Sequence, residues 1–281
     1  MLEYGFMRDA FAASGIVAAL GGLVGYFLVL RGQTFAGHAL GHVGFAGATG
    51  AVLIGVSPFA GLIALSVLAG IGMGFLGERV TERDVAIGIV LALALGFGLL
   101  FLSLYTRFAS EAVALLFGNV LAVGMTTVLA LFGLGVASLI GLAAIARPLM
   151  FASLQPEVAE AKGVSLSLYS VLFLGIVGLA TAACAEIVGV LLVFTLMVGP
   201  AATAQRLTPR VGTGLLLAAV LALGEAWLGI TLAFYTNWPT SFWITALSTL
   251  AYVGAIPTWS YPRAMSRASR SSFLRRRVSG A

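Results

Sequence analysis

The sequence predicts an all-α polytopic membrane protein with about eight or nine transmembrane helices, and three observations predict it. Of the 281 residues, 60% are hydrophobic and only 9% are charged, against about 25% charged in ordinary soluble domains. A chain this apolar cannot cover a water-facing surface, so its solvent is largely lipid. The apolar runs are also long and fill nearly the whole chain, and about 20 such residues cross the hydrocarbon as a helix. Finally, the runs lack the alternation over about ten residues that marks a membrane β-barrel.

Nine apolar runs follow in order, at 11–30, 38–56, 58–77, 85–105, 125–146, 166–183, 185–205, 211–234 and 240–257. The stretch 166–205 reads either as two helices with a tight turn near Ala185–Glu186 or as one long broken helix. Residues 109–123 are short and interrupted and read as a re-entrant or interfacial piece. The first residues carry Glu3 and Asp9 beside Arg8, which is not a basic leader, so the first run reads as a retained helix.

Topology follows from charge. Nine crossings with the N-terminus outside put Arg31, Arg79, Arg83, Arg147, Lys162, Arg206 and Arg210 inside, together with the six arginines from Arg263 to Arg277. Only Arg8 and Arg107 stay outside, as the positive-inside rule favours. The net charge of +5 is therefore placed by topology, and no nucleic-acid partner is expected. Residues 1–261 form one membrane domain. Residues 262–281 form a serine-rich basic tail, expected to be disordered and to lie at anionic lipid headgroups, with partner binding as the alternative.

Chemistry-bearing residues are few. Cys184 is the single cysteine, which excludes an internal disulfide and a multi-thiolate site. His38 and His42 are the only histidines. At i and i+4 they share one helix face, and two imidazoles one turn apart suit Zn²⁺ or a similar ion; the plainer reading is a pair of packing residues. Glu225 lies deep in an apolar span, where a carboxylate marks a pathway or a structural partner, and is a further candidate metal ligand. Glu186 reads as an exposed interfacial residue or a group at a pore mouth, and Asp84 as a helix N-cap or as a partner in local charge pairing. Pairs such as Gly21/Gly25, Gly37/Gly41 and Gly70/Gly74 have the small-residue spacing of close helix packing in lipid.

No Ser-His-Asp, Cys-His or HExxH arrangement is present. The only lysine, Lys162, stands between Ala161 and Gly163 rather than in a Gly-Lys-Ser/Thr loop. The chain is therefore read as a non-enzyme without its own ATP-binding motif. The segment Leu154 to Ser165 is a polar helix pattern inside a greasy chain. Gln155 precedes Pro156, which suits a first turn; Glu157 and Glu160 sit early and Lys162 late, as the helix dipole favours; Ala159 lies within, and Gly163 is a natural stop. Such a helix is what a membrane subunit offers to a cytosolic motor, or else it is a plain interfacial connector.

At these residues the sequence resembles the ABC importer permease family for zinc, manganese and iron. The matching stretches are GYFLVLRGQTFAGHALGHVGFAG (25–47), ERDVAIGIVLALALG (82–96), LLFGNVLAV (115–123), LQPEVAEAKGV (154–164), VGVLLVFTLMVGPAATAQRL (188–207) and WPTSFWITAL (238–247). The resemblance implies a type II importer-like permease domain over 1–261 with a coupling helix at about 154–164. It implies a homodimer in the plasma (inner) membrane, cytosolic ATPase subunits and an extracytoplasmic metal-binding protein. It implies that His38 and His42 are transient ligands for a transported ion, with no cofactor bound permanently. The family usually shows Gly-Asp-Ala where this chain reads Gly37-His38-Ala39, and the acidic residue that usually follows the FGN-LAV stretch is replaced by Met125-Thr126-Thr127. Imidazole suits zinc better than manganese, so zinc is the expected ion. Two alternatives stand beside this reading. One is an ABC permease for a metal chelate; the other is a proton-coupled secondary transporter or membrane scaffold, with Glu225 as the proton site.

Overall fold

The computed structural model describes residues 3–75, 80–104, 116–118, 120 and 123–256. Each of the nine apolar runs becomes a helix, and one short polar helix is added. They are α1 (Gly5–Leu30), α2 (Thr34–Leu53), α3 (Pro58–Gly74), α4 (Val80–Leu104), α5 (Met125–Leu154), α6 (Pro156–Ala161), α7 (Leu166–Val188), α8 (Val193–Leu207), α9 (Val211–Thr236) and α10 (Thr240–Ile256). The fold is all-helical among the described residues.

Five of these helices, α1, α4, α5, α7 and α9, have the length and hydropathy to cross a membrane unaided, fewer than the eight or nine crossings expected. The difference has a physical cause. α3 and α8 hold 17 and 15 residues, about 25 and 22 Å at 1.5 Å per residue, short of a hydrocarbon layer of about 30 Å. α2 is diluted by glycine, threonine and both histidines.

α1 and α7 form the centre, each with 72% of its apolar window buried. α1 packs on α9, α8, α5 and α7; α7 packs on α3, α5 and α2; α2 packs on α3, α4 and α7. α4, with 17% buried, lies at the periphery. Without a hydrophobic drive between helices in lipid, association rests on close backbone approach. Two of the three glycine pairs singled out by spacing sit at such contacts, with Gly25 under the Met197 carbonyl and Gly70 under that of Leu174, while Gly37 takes the Leu28 side chain.

Two local expectations are corrected. The break between α7 and α8 falls at Gly189–Leu192, not at Ala185–Glu186. Gly189 has φ +87° and ψ 151°, a backbone conformation open essentially to glycine alone, so the chain leaves the helix there. Glu186 therefore lies in the last turn of α7, half-buried. Asp84 is not an N-cap, because α4 already begins at Val80 and Asp84 is its fifth residue. The tail at 262–281 and most of 109–123 lie outside the described residues.

Candidate functional site

α2 starts at Thr34 after a tight turn, and its second and third turns carry the two histidines. Their rings meet nearly at right angles, 82°, with centroids 4.9 Å apart. His38 is half-buried, and its ring also meets Phe194, the second residue of α8, at 5.3 Å and 79°. His42 is 8% exposed, and its Nδ1 has no hydrogen-bond partner. A buried polar atom left without a partner costs about 1–3 kcal/mol, so a packing role alone leaves this nitrogen unexplained. The neighbouring Gly37 and Gly41 let other side chains pack close to this helix, Leu28 against Gly37 and Val193 against Gly41.

The pair presents two imidazoles from one helix, and no third His, Cys, Asp or Glu joins them into a metal cluster among the described residues. Two ligands hold a divalent ion weakly, with water or a second element completing its shell. Weak holding suits passage rather than storage.

Glu225 stands on α9, which packs on α1 and α8. It is 5% exposed, and neither carboxyl oxygen has a hydrogen-bond partner. The Ser248 hydroxyl on α10 faces it, is itself 1% exposed and is also unpartnered. Ser248 reaches this position because Gly199 on α8 leaves room for it. The structure thus brings Glu225 to Ser248, not into a cluster with the histidines.

The polar segment after α5 forms the short helix its sequence predicts. Gln155 is the N-cap residue, Pro156 opens α6 and Glu157 lies in its first turn. Ala159 is fully buried against Ala152 and Leu166 and seats the helix on the ends of α5 and α7. Its opposite face exposes Glu157, Val158 and Glu160. Lys162 caps the C-terminus and lies 5.5 Å from the Phe151 ring centroid. Gly163 follows at φ +80° and ends the helix. The outward surface is two carboxylates around one apolar side chain.

Reading the sequence does not single out Phe194 or Ser248. Phe194 lies in one more apolar run, and Ser248 is one of many hydroxyls. Only the crossing of α8 with α2, and of α10 with α9, gives either residue its neighbour.

The chain as a whole is similar to known proteins. The manganese transport system membrane protein MntC of Halalkalibacterium halodurans is 32% identical, over 82% of this chain and 79% of that one. The solved structure of PsaBC from Streptococcus pneumoniae in complex with Fab has a chain that superposes with a TM-score of 0.84 at 24% identity, covering 94% of this chain and 96% of that one. A metal-chelate type ABC transporter solved in an inward-facing conformation superposes less closely, at 0.66 and 17% identity, over 89% of this chain and 85% of that one. The model of the ABC 3 transport family matches residues 3–258, and the chain belongs to that family.

Proposed function

We propose that this chain is the membrane-spanning subunit of an ATP-driven importer for a divalent transition-metal ion, with manganese as the ion carried. The observation that carries the metal-ion reading is the His38–His42 pair, two adjacent imidazoles on a buried helix face, one with an unpartnered nitrogen, in a chain of a transport family; the choice of manganese rests on the relative named for it. The chain works as a multi-pass protein of the plasma membrane, with its C-terminus and α6 inside. It pairs with a second copy and with cytosolic ATPase subunits that supply the hydrolysis, and it receives its ion from an extracytoplasmic metal-binding protein.

The mechanism is alternating access. An ion released at the outer side meets His38 and His42, which replace part of its water shell and then release it. α6 sits in the ATPase surface through Glu157, Val158 and Glu160, with Gln155, Pro156, Ala159, Lys162 and Gly163 shaping and seating it. Glu225 acts outside the ion path, between α9 and α10. One observation favours zinc as a second reading: the pair is all nitrogen, and imidazole suits zinc while hard oxygen ligands suit manganese.

The test is uptake by metal-starved cells lacking the chain, carrying it intact, or carrying His38→Ala with His42→Ala. Radiolabelled manganese and zinc are supplied separately. The reading expects manganese uptake restored by the intact chain and reduced about 10–100-fold in the double variant, the scale on which metal sites respond to lost ligand support. Restoration of zinc alone transfers the conclusion to the second reading. Restoration of neither ion overturns both.

A further inference from the structure

The turn between α1 and α2 holds a polar bridge that the ion path and α6 leave unexplained. Arg31 ends α1, Gly32 takes φ +63°, and Gln33 precedes α2 with its backbone amide donating to the Leu28 carbonyl at 3.0 Å. From this turn Arg31 Nη1 donates to Ser153 Oγ at 3.1 Å, and its Nε donates to Gln33 Oε1 at 3.2 Å. Gln33 Nε2 in turn donates to Ser170 Oγ at 3.4 Å. The Arg31 guanidinium also lies over the Phe173 ring, 5.7 Å from its centroid. Gln33 is 3% exposed and Ser170 5%, so the bond between them is interior, and the two bonds from Arg31 are part-buried.

The two acceptors matter for where they stand. Ser153 is in the last turn of α5 and Ser170 in the second turn of α7, and α6 is the only helix between them in sequence. α6 packs on α5 and α7. A displacement of α6 therefore passes into those two stems, and both stems are tied through Arg31 and Gln33 to the start of α2. His38 follows Gln33 by five residues, about 7.5 Å of helix rise. Apolar packing alone would hold these helices together; directional bonds from a planar guanidinium and an amide hold them in one register.

We propose that Arg31 and Gln33 are positioning residues that carry the movement of α6 to the His38–His42 segment and so couple the nucleotide cycle to the ion path. The inference rests on the reading of α6 as the helix seated on the ATPase. They touch neither ion nor nucleotide; they transmit by keeping the turn and the two stems as one body.

The experiment uses the complete transporter, this chain with its ATPase and its extracytoplasmic metal-binding protein, in proteoliposomes. ATP hydrolysis, manganese uptake and permease–ATPase co-purification are measured on the same preparations for the parent, Gln33→Leu, Ser170→Ala, the two combined, and Arg31→Lys. The expected result is hydrolysis and co-purification near the parent's, with ions moved per ATP lowered about tenfold in Gln33→Leu, within the usual range of coupling between sites. The combined variant should lose no more than Gln33→Leu alone, because both cut one link. Arg31→Lys, which keeps a donor toward Ser153, should retain more coupling than Gln33→Leu. Ser170→Ala removes a single hydroxyl and supplies the same ratio if Gln33→Leu does not assemble. Unchanged ions per ATP, a parallel fall in hydrolysis and uptake, or compounding losses in the combined variant would each overturn the inference. A parent complex that moves neither manganese nor zinc overturns the proposed function instead.

Discussion

Gly118 and Gly189 lie backbone against backbone, so that a Cβ on either would run into the main chain of the other. Both have positive φ, +77° and +87°. The contact is reinforced on both sides: the Leu191 amide donates to the Leu116 carbonyl at 3.2 Å, and the Ser241 hydroxyl at the start of α10 donates to the Phe117 carbonyl at 3.0 Å. The break between α7 and α8 is thereby held, and α8 begins where Phe194 meets His38.

Gly189→Ala should accordingly be far more damaging than Gly55→Ala. Both positions have positive φ, which costs a side chain about 1–3 kcal/mol, but a methyl group at Gly55 would meet nothing within 4 Å. Thermal unfolding of the purified chain in detergent checks this. Gly55→Ala should lower the midpoint by a few degrees, and Gly189→Ala should prevent a cooperative transition. Equal shifts in the two variants would reject the clamp.

Phe194 packs edge-on against the His38 ring, and on the proposed ion path this contact orients the imidazole. An aromatic pair contributes about 0.5–1.5 kcal/mol beyond its buried area. By that measure Phe194→Leu should weaken manganese uptake about 2–10-fold, and Phe194→Tyr should retain most of it. The check is initial uptake rate against ion concentration; equal rates for Leu and Phe would show that the ring does not orient His38.

Glu225 and Ser248 bring three unpartnered buried oxygens together. Each such group costs about 1–3 kcal/mol, while replacing both facing groups by apolar ones of the same shape can be nearly neutral or stabilising. Glu225→Met combined with Ser248→Ala should therefore hold or raise the unfolding midpoint while leaving uptake intact. Loss of uptake with raised stability would return Glu225 to the ion path.

Glu157 and Glu160 face outward on α6, with Val158 45% exposed between them. Replacing both with Lys should abolish co-purification of the ATPase and change the stability of the chain by no more than about 0.5 kcal/mol, as for surface substitutions generally. Retained co-purification would deny α6 its role.

Much of the fold is legible in the sequence because lipid imposes one solution. Every backbone group must bond within its own segment, so each long apolar run becomes a helix, and α6 follows from proline, charge order and glycine. The boundary near Glu186 is hard to read because Gly189, the local stop signal, is one of 36 glycines, many of them inside helices. What distinguishes it is the opposing Gly118. Asp84 misleads for another reason: the residues before it look like a loop by charge while already belonging to α4.

The sequence alone determined that the chain lives in a membrane, that its histidines share one helix face, and that a short polar helix follows α5. Composition, period and local propensity are properties of neighbours along the chain, and each of these conclusions rests on them. The tertiary structure decided that His38 meets Phe194, that Glu225 meets Ser248 rather than the histidines, and that Arg31 and Gln33 reach Ser153 and Ser170. The partners in each of these pairs stand on different helices and meet only because packing brings those helices together. No local rule in a uniformly apolar sequence specifies which helix faces which.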